Sequence, residues 1–216
     1  MCFSAAASFS AAGATGAIGL LCLTRVRGAR EIALAAIPIF FAAQQTIEGF
    51  LWLAIPAAPD GPAVRRLTFL FLLFAQVLWP VFAPAAVWLV EPPGRRRRAM
   101  GLWLGLASVL SACLLFGLVT HPHSAGLLND HIVYLSTQRI PPLVSLIYFA
   151  VLVPPVVISS SRTISLFGLI LTVGYAVTYV FYRNTYQSVW CYFAAAASLV
   201  LAAYFLRRRR REPSMG

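Results

Sequence analysis

Of 216 residues, 60% are hydrophobic and 11% charged, and the mean hydropathy is +0.81; too little polar surface remains for a soluble globule. The net charge of +11 comes from 17 basic residues against 6 acidic ones, and every basic residue is arginine. An integral membrane protein embedded in a lipid bilayer is expected, and no nucleic-acid partner, because the placement of the arginines in a membrane topology accounts for the charge.

A helix crossing the hydrocarbon needs about 20 apolar residues. Such runs lie at 4–24, 31–55, 66–90, 99–119, 142–159, 163–182 and 186–206. The expected fold is an all-α integral membrane protein: a seven-transmembrane-helix bundle forming a single domain over 1–206, with an outer loop at 120–141 and a basic tail at 207–216. With the N-terminus outside, the inner links and tail collect thirteen arginines, at 25, 27, 30, 95–98, 162 and 207–211. Only Arg65, Arg66, Arg139 and Arg183 face outward. Short cytoplasmic loops carry the Lys/Arg excess, so an N-out, C-cytoplasmic orientation follows, and the tail is also suited to anionic lipid.

The chain opens "MCFSAAASFS", which lacks the positive n-region of a secretory signal. Cys2 is therefore expected in the mature chain; whether Met1 is removed is left open. In the first run Ser8, Ala12 and Gly16 recur at four-residue spacing, the small-residue face that lets helices pack closely in lipid. The second run carries "QQTIEGFLW", in which Gln45, Glu48 and Trp52 share one helical face with Gln44 at its edge. Glu48 is the one acid well inside a predicted span, and a charge at mid-membrane costs about 2.5–3.5 kcal/mol on insertion scales, so it should be paired, metal-bound or protonated. Pro38, Pro80, Pro84, Pro154 and Pro155 are expected to kink their helices.

The long outer connection, "THPHSAGLLNDHIVYLSTQRIPP", holds His121, His123, Asp130, His131 and Tyr134. His121 and His123 read as a solvated loop. His131 follows Asp130, which could orient its imidazole, and precedes an apolar stretch that predicts a segment dipping back onto or into the bundle. Tyr175, Tyr179 and Tyr182 form an aromatic face rising to the outer surface. In the last run, "YQSVWCYF" sets Trp190 and Cys191 one to two turns below that surface. The inner half offers arginines, Cys22 and Ser159 to Ser161, read as packing and a loop.

Cys2, Glu48, His131 and Cys191 are the ligand types of a transition metal, zinc or copper. No C-x-x-C, H-E-x-x-H or H-x-x-x-H spacing is present, so the fold would have to assemble them. Two other readings stand beside the metal: a Cys2–Cys191 disulfide in an oxidising compartment, worth about 2–4 kcal/mol, or cysteines that merely pack.

The opening M-C-F-S-A, "QQTIEGFLW", "HIVY" and "SVWCYF", taken together and in order, resemble an uncharacterised family of bacterial seven-span membrane proteins. The recurrent polar positions of that family match Cys2, Ser4, Gln45, Glu48, Trp52, His131, Tyr134, Trp190 and Cys191. The resemblance implies no activity.

The first functional reading is an outward-facing cavity that binds a metal through Cys2, Glu48, His131 and Cys191, with Ser4, Gln44, Gln45, Trp52, Asp130, Tyr134 and Trp190 around it. If catalytic, Glu48 would be the general base of a zinc-dependent hydrolysis of a lipid or small molecule. The alternative is a transporter, channel or sensor with Glu48 as a proton or ion site and structural cysteines. A third is a subunit of a membrane assembly; the oligomeric state and substrate are not readable. Retinal is excluded because no lysine exists to form its Schiff base, and haem is not expected without histidine pairs on facing helices. Arginine without lysine, with much alanine, suggests a GC-rich bacterium, and hence a plasma (inner) membrane location with the site facing the periplasm or exterior.

Overall fold

The computed structural model describes residues 4–128, 131–136, 142–181 and 186–209, excluding the side chains of 142, 186–188, 191, 192, 194, 208 and 209. Cys2, Asp130, Arg139, Tyr182 and the side chain of Cys191 thus lie outside the described residues. The elements are α1 (Ala5–Leu23), α2 (Ala29–Ala57), α3 (Pro62–Leu72), a π-helical segment (Leu73–Leu78), α4 (Trp79–Val90), α5 (Arg95–Thr120), β1 (His123–Leu128), β2 (His131–Ser136), α6 (Pro142–Val157), α7 (Arg162–Phe181) and α8 (Tyr186–Arg209). Among the described residues the fold is helical, as composition predicts, apart from one hairpin.

Among the described residues five helical stretches are long and apolar enough to cross a membrane: Ala5–Leu23, Ala29–Ala57, Pro62–Val90, Arg95–Thr120 and Arg162–Phe181. The sequence led us to expect seven spans. Among the described residues α6 and α8 contribute shorter apolar stretches, Leu143–Val157 and Ala195–Arg207. At 16 residues, α6 rises about 24 Å, short of a hydrocarbon core about 30 Å thick.

Helices adjacent in sequence pack side by side, and α8 returns to both α1 and α2, which closes the bundle. Small residues set the closest approaches: a Cβ at Gly168 of α7 would lie 2.9 Å from the backbone nitrogen of Val157 in α6, so only glycine fits that crossing. One end of the bundle gathers arginine-bearing links, where the link after α4 touches the link between α6 and α7 through Glu91, Ser159 and Ser160. The other end carries the hairpin. A large apolar core around Leu34, Phe41, Trp79, Val156 and Leu201 fills the middle and the arginine end. A second core around Leu51, Phe71, Leu118, Ala125 and Ile132 lies beneath the hairpin.

Pro80 explains the π-helical segment. The Trp79 N–H donates to the Phe74 carbonyl five residues back, and in that register the Ala75 carbonyl would face the Pro80 nitrogen, which has no hydrogen. The Tyr148 hydroxyl of α6 donates to Ala75 O instead at 2.5 Å. Ser111 of α5 donates in the same way to Val77 O at 2.5 Å. Neighbouring helices thus satisfy backbone groups that lipid could not.

The segment expected to dip back onto or into the bundle lies on it as an antiparallel hairpin, with Ala125 opposite Tyr134 and Leu127 opposite Ile132. Strand alternation turns Ala125, Ile132 and Tyr134 toward one face, and Ala125 and Ile132 are buried there against α3.

Candidate functional site

Helix α2 is flanked by α1, α3, α4 and α8, so even its polar face is enclosed. Gln44, Gln45 and Glu48 are all fully buried. They cluster because the helical repeat brings residues three and four apart onto one face. Gln44 Oε1 accepts a hydrogen bond from Trp79 Nε1 at 2.6 Å, and the indole is held by stacking on Phe41, with ring centroids 4.1 Å apart. Glu48 lies one turn further toward the hairpin end. Its Oε1 accepts from the Tyr134 hydroxyl at 3.4 Å. Tyr134 in turn stacks on Phe71 of α3, 4.4 Å between centroids and 8° from parallel. A loop residue 86 positions away therefore reaches a carboxylate inside the bundle.

Further polar atoms on α1, α2 and α3 are buried. Neither amide atom of Gln45 has a hydrogen-bond partner among the described residues, nor does Trp52 Nε1, Thr68 Oγ1 or Ser8 Oγ, and all are buried. Buried polar atoms without partners are costly and uncommon. Ser8 is next to Phe9, whose ring lies 2.7 Å from where a Gly49 Cβ would stand, so α1 abuts α2 at the height of Glu48. Thr68 and Trp79 were not singled out in the sequence, since a lone threonine or tryptophan in an apolar run carries no periodic signal.

The other described residues proposed from the sequence sit on several elements. Ser4 caps α1, accepting from Ala7 N at 3.2 Å, a structural task. His131 belongs to the hairpin face opposite Tyr134, by strand alternation. Trp190 is in the middle core, donating through Nε1 to Leu171 O at 3.2 Å and meeting Tyr148 and Tyr175 edge-on. Tyr175 and Tyr179 stack at 5.8 Å. His121 Nδ1 is 3.0 Å from Thr120 Oγ1, and His123 Nε2 is 3.1 Å from Ser136 Oγ across the hairpin. Burial lowers the His123 pKa from its ordinary value. Among the described residues no three His, Cys, Asp or Glu side chains gather as a metal site would require; of the proposed ligands, only Glu48 and His131 have described side chains.

A second buried carboxylate, passed over in the sequence, lies at the arginine end. Glu91 accepts from the Ser159 hydroxyl at 3.1 Å and from Ser160 N at 3.0 Å. The triple serine is thus a latch between two links rather than simple loop.

No curated protein and no solved structure matches this chain. A family model does, over residues 1–215, and it spans every polar residue gathered beneath the hairpin. The chain belongs to DUF6629, a family of unknown function.

Proposed function

We propose that this membrane protein binds a cation at Glu48, in a polar site covered by the β1–β2 hairpin and facing outward from a bacterial inner membrane. One observation carries the reading: Gln45 is fully buried beside Glu48 with both amide atoms unpartnered among the described residues. The amide oxygen of such a group calls for a partner that a bound cation would supply, and its N–H groups call for an acceptor such as a ligand of that cation. An acid enclosed in a membrane bundle is a functional centre by default, and the phenol of Tyr134 would orient it.

Two classes of cation suit the site. A proton or alkali ion needs only Glu48 and its neighbours and leads to a transporter or sensor. Zinc or copper would need Cys2 and Cys191 as further ligands; α8, which carries Cys191, packs on both α1 and α2, and this keeps the metal reading and a metal-dependent hydrolase in play.

The test is thermal unfolding of detergent-purified protein across pH and with sodium, lithium, zinc and copper(I) salts, with elemental mass spectrometry alongside. We expect one cation, or acid, to stabilise the wild type and to have no effect on Glu48→Gln. Stoichiometric zinc or copper, lost in Cys2→Ser and Cys191→Ser, selects the metal. A metal-free protein that responds to pH or an alkali ion selects the transporter or sensor. Identical responses of wild type and Glu48→Gln would remove Glu48 as the centre.

A further inference from the structure

At the opposite end of the bundle, a groove of about 610 Å³ runs between the start of α5, the end of α6 and the start of α7. Arg95 and Arg96 form one side, and Ala99, Val157 and Ile158 give it an apolar lining. We propose that this groove binds the phosphate headgroup of an anionic membrane lipid. The inference stands independently of the Glu48 reading.

Charge is the first argument. The run at 95–98 is not a uniform solvated patch: Arg97 stacks over the Trp88 ring at 4.5 Å and so has a packing role. Arg95 and Arg96 are exposed and make no ion pair among the described residues. The acid nearest to them in sequence, Glu91, is buried and has its oxygens turned to Ser159 and Ser160. Two neighbouring guanidiniums with no counter-ion among the described residues present up to ten N–H donors, in the forked geometry that fits phosphate oxygens.

The lining identifies the source of the phosphate. A free anion gains nothing from Ala99, Val157 and Ile158, whereas a lipid brings acyl carbons attached to its phosphate. The Ser165 hydroxyl at the groove already donates to Val157 O at 2.7 Å, so recognition falls to the arginines. Height agrees as well. Arg95 opens a helix of 26 residues, about 39 Å long, so its first turn reaches the headgroup layer when the apolar part spans the hydrocarbon. Basic pockets between helices at this level are suited to anionic headgroups.

The test places the full chain in nanodiscs of phosphatidylcholine doped with phosphatidylglycerol and reads bound phosphatidylglycerol by native mass spectrometry. Retention by the wild type should fall about tenfold or more in Arg95→Ala/Arg96→Ala, since two charge-assisted contacts are lost. The control Arg25→Ala/Arg30→Ala removes the same charge elsewhere and should retain lipid. Ala99→Trp keeps every charge, fills the groove and should also lose lipid; thermal unfolding of each variant verifies that it is folded. Equal loss in both arginine pairs would reduce the effect to bulk charge and overturn the proposal. So would undiminished retention in Ala99→Trp, or binding of inorganic phosphate by Arg95 and Arg96 with no lipid retained.

Discussion

The hairpin should be held to the bundle by the Tyr134 ring more than by its hydroxyl, and two substitutions separate these contributions. Tyr134→Phe keeps the stack on Phe71, 4.4 Å between centroids, and removes a hydrogen bond to Glu48 that is long at 3.4 Å. A net hydrogen bond is worth about 0.5–1.5 kcal/mol, and the length puts this one at the low end, about 0.5 kcal/mol. Tyr134→Ala also removes the stack, about 0.5–1.5 kcal/mol, and the packing of a half-buried ring, roughly half the 3–5 kcal/mol of a fully buried aromatic. The total is about 2.5–4.5 kcal/mol. Hydrogen exchange of the amides in β1 and β2, measured in detergent, reads local opening directly. Protection should fall about twofold in Tyr134→Phe and about seventyfold or more in Tyr134→Ala. Equal losses in the two variants would refute the argument, because the hydroxyl alone would then hold the hairpin.

Gln44→Leu strands the Trp79 indole N–H, now bonded at 2.6 Å, and should destabilise the bundle by about 1 kcal/mol. Unfolding in mixed micelles with rising dodecyl sulfate checks this; an unchanged midpoint would mean that Trp79 finds another acceptor. Hairpin stability should also depend on pH through His123, whose pKa burial lowers. The unfolded hairpin then binds protons more readily, so stability is fully present above the unfolded value, near 6.5, and is lost as pH falls through it toward the folded value. Exchange of β1 and β2, corrected for intrinsic rates, should show protection falling on acidification in the wild type and less so in His123→Asn. An identical pH profile in the variant would assign the effect to another group.

Local chemistry made much of this protein legible. The helical, apolar class and the shared face of Gln45, Glu48 and Trp52 follow from run length and a 3.6-residue repeat, because a bilayer demands apolar length and a helix satisfies its own backbone. Glu48 stood out for the same reason: a charge is rare in such a run. The hairpin was harder to read. "SAGLL" and "HIVYLS" are short apolar stretches that periodicity cannot assign, and β1 packs on α3 beneath it.

Tertiary structure alone decided which polar groups meet. Trp79 and Gln44 are 35 residues apart and Tyr134 and Glu48 are 86 apart, and both contacts depend on how helices cross and on which face the hairpin turns inward. The π-helical segment belongs to the same level. Pro80 marks a missing donor in the sequence, but that Tyr148 would satisfy Ala75 O was set by the packing of α6 on α4. Glu91 carried no signal in the sequence, and only the fold brings Ser159 and Ser160 to it. Sequence determined what each segment must do in lipid, a property of the segment itself; the fold determined the partners, because contact across tens of residues is a property of the whole packing.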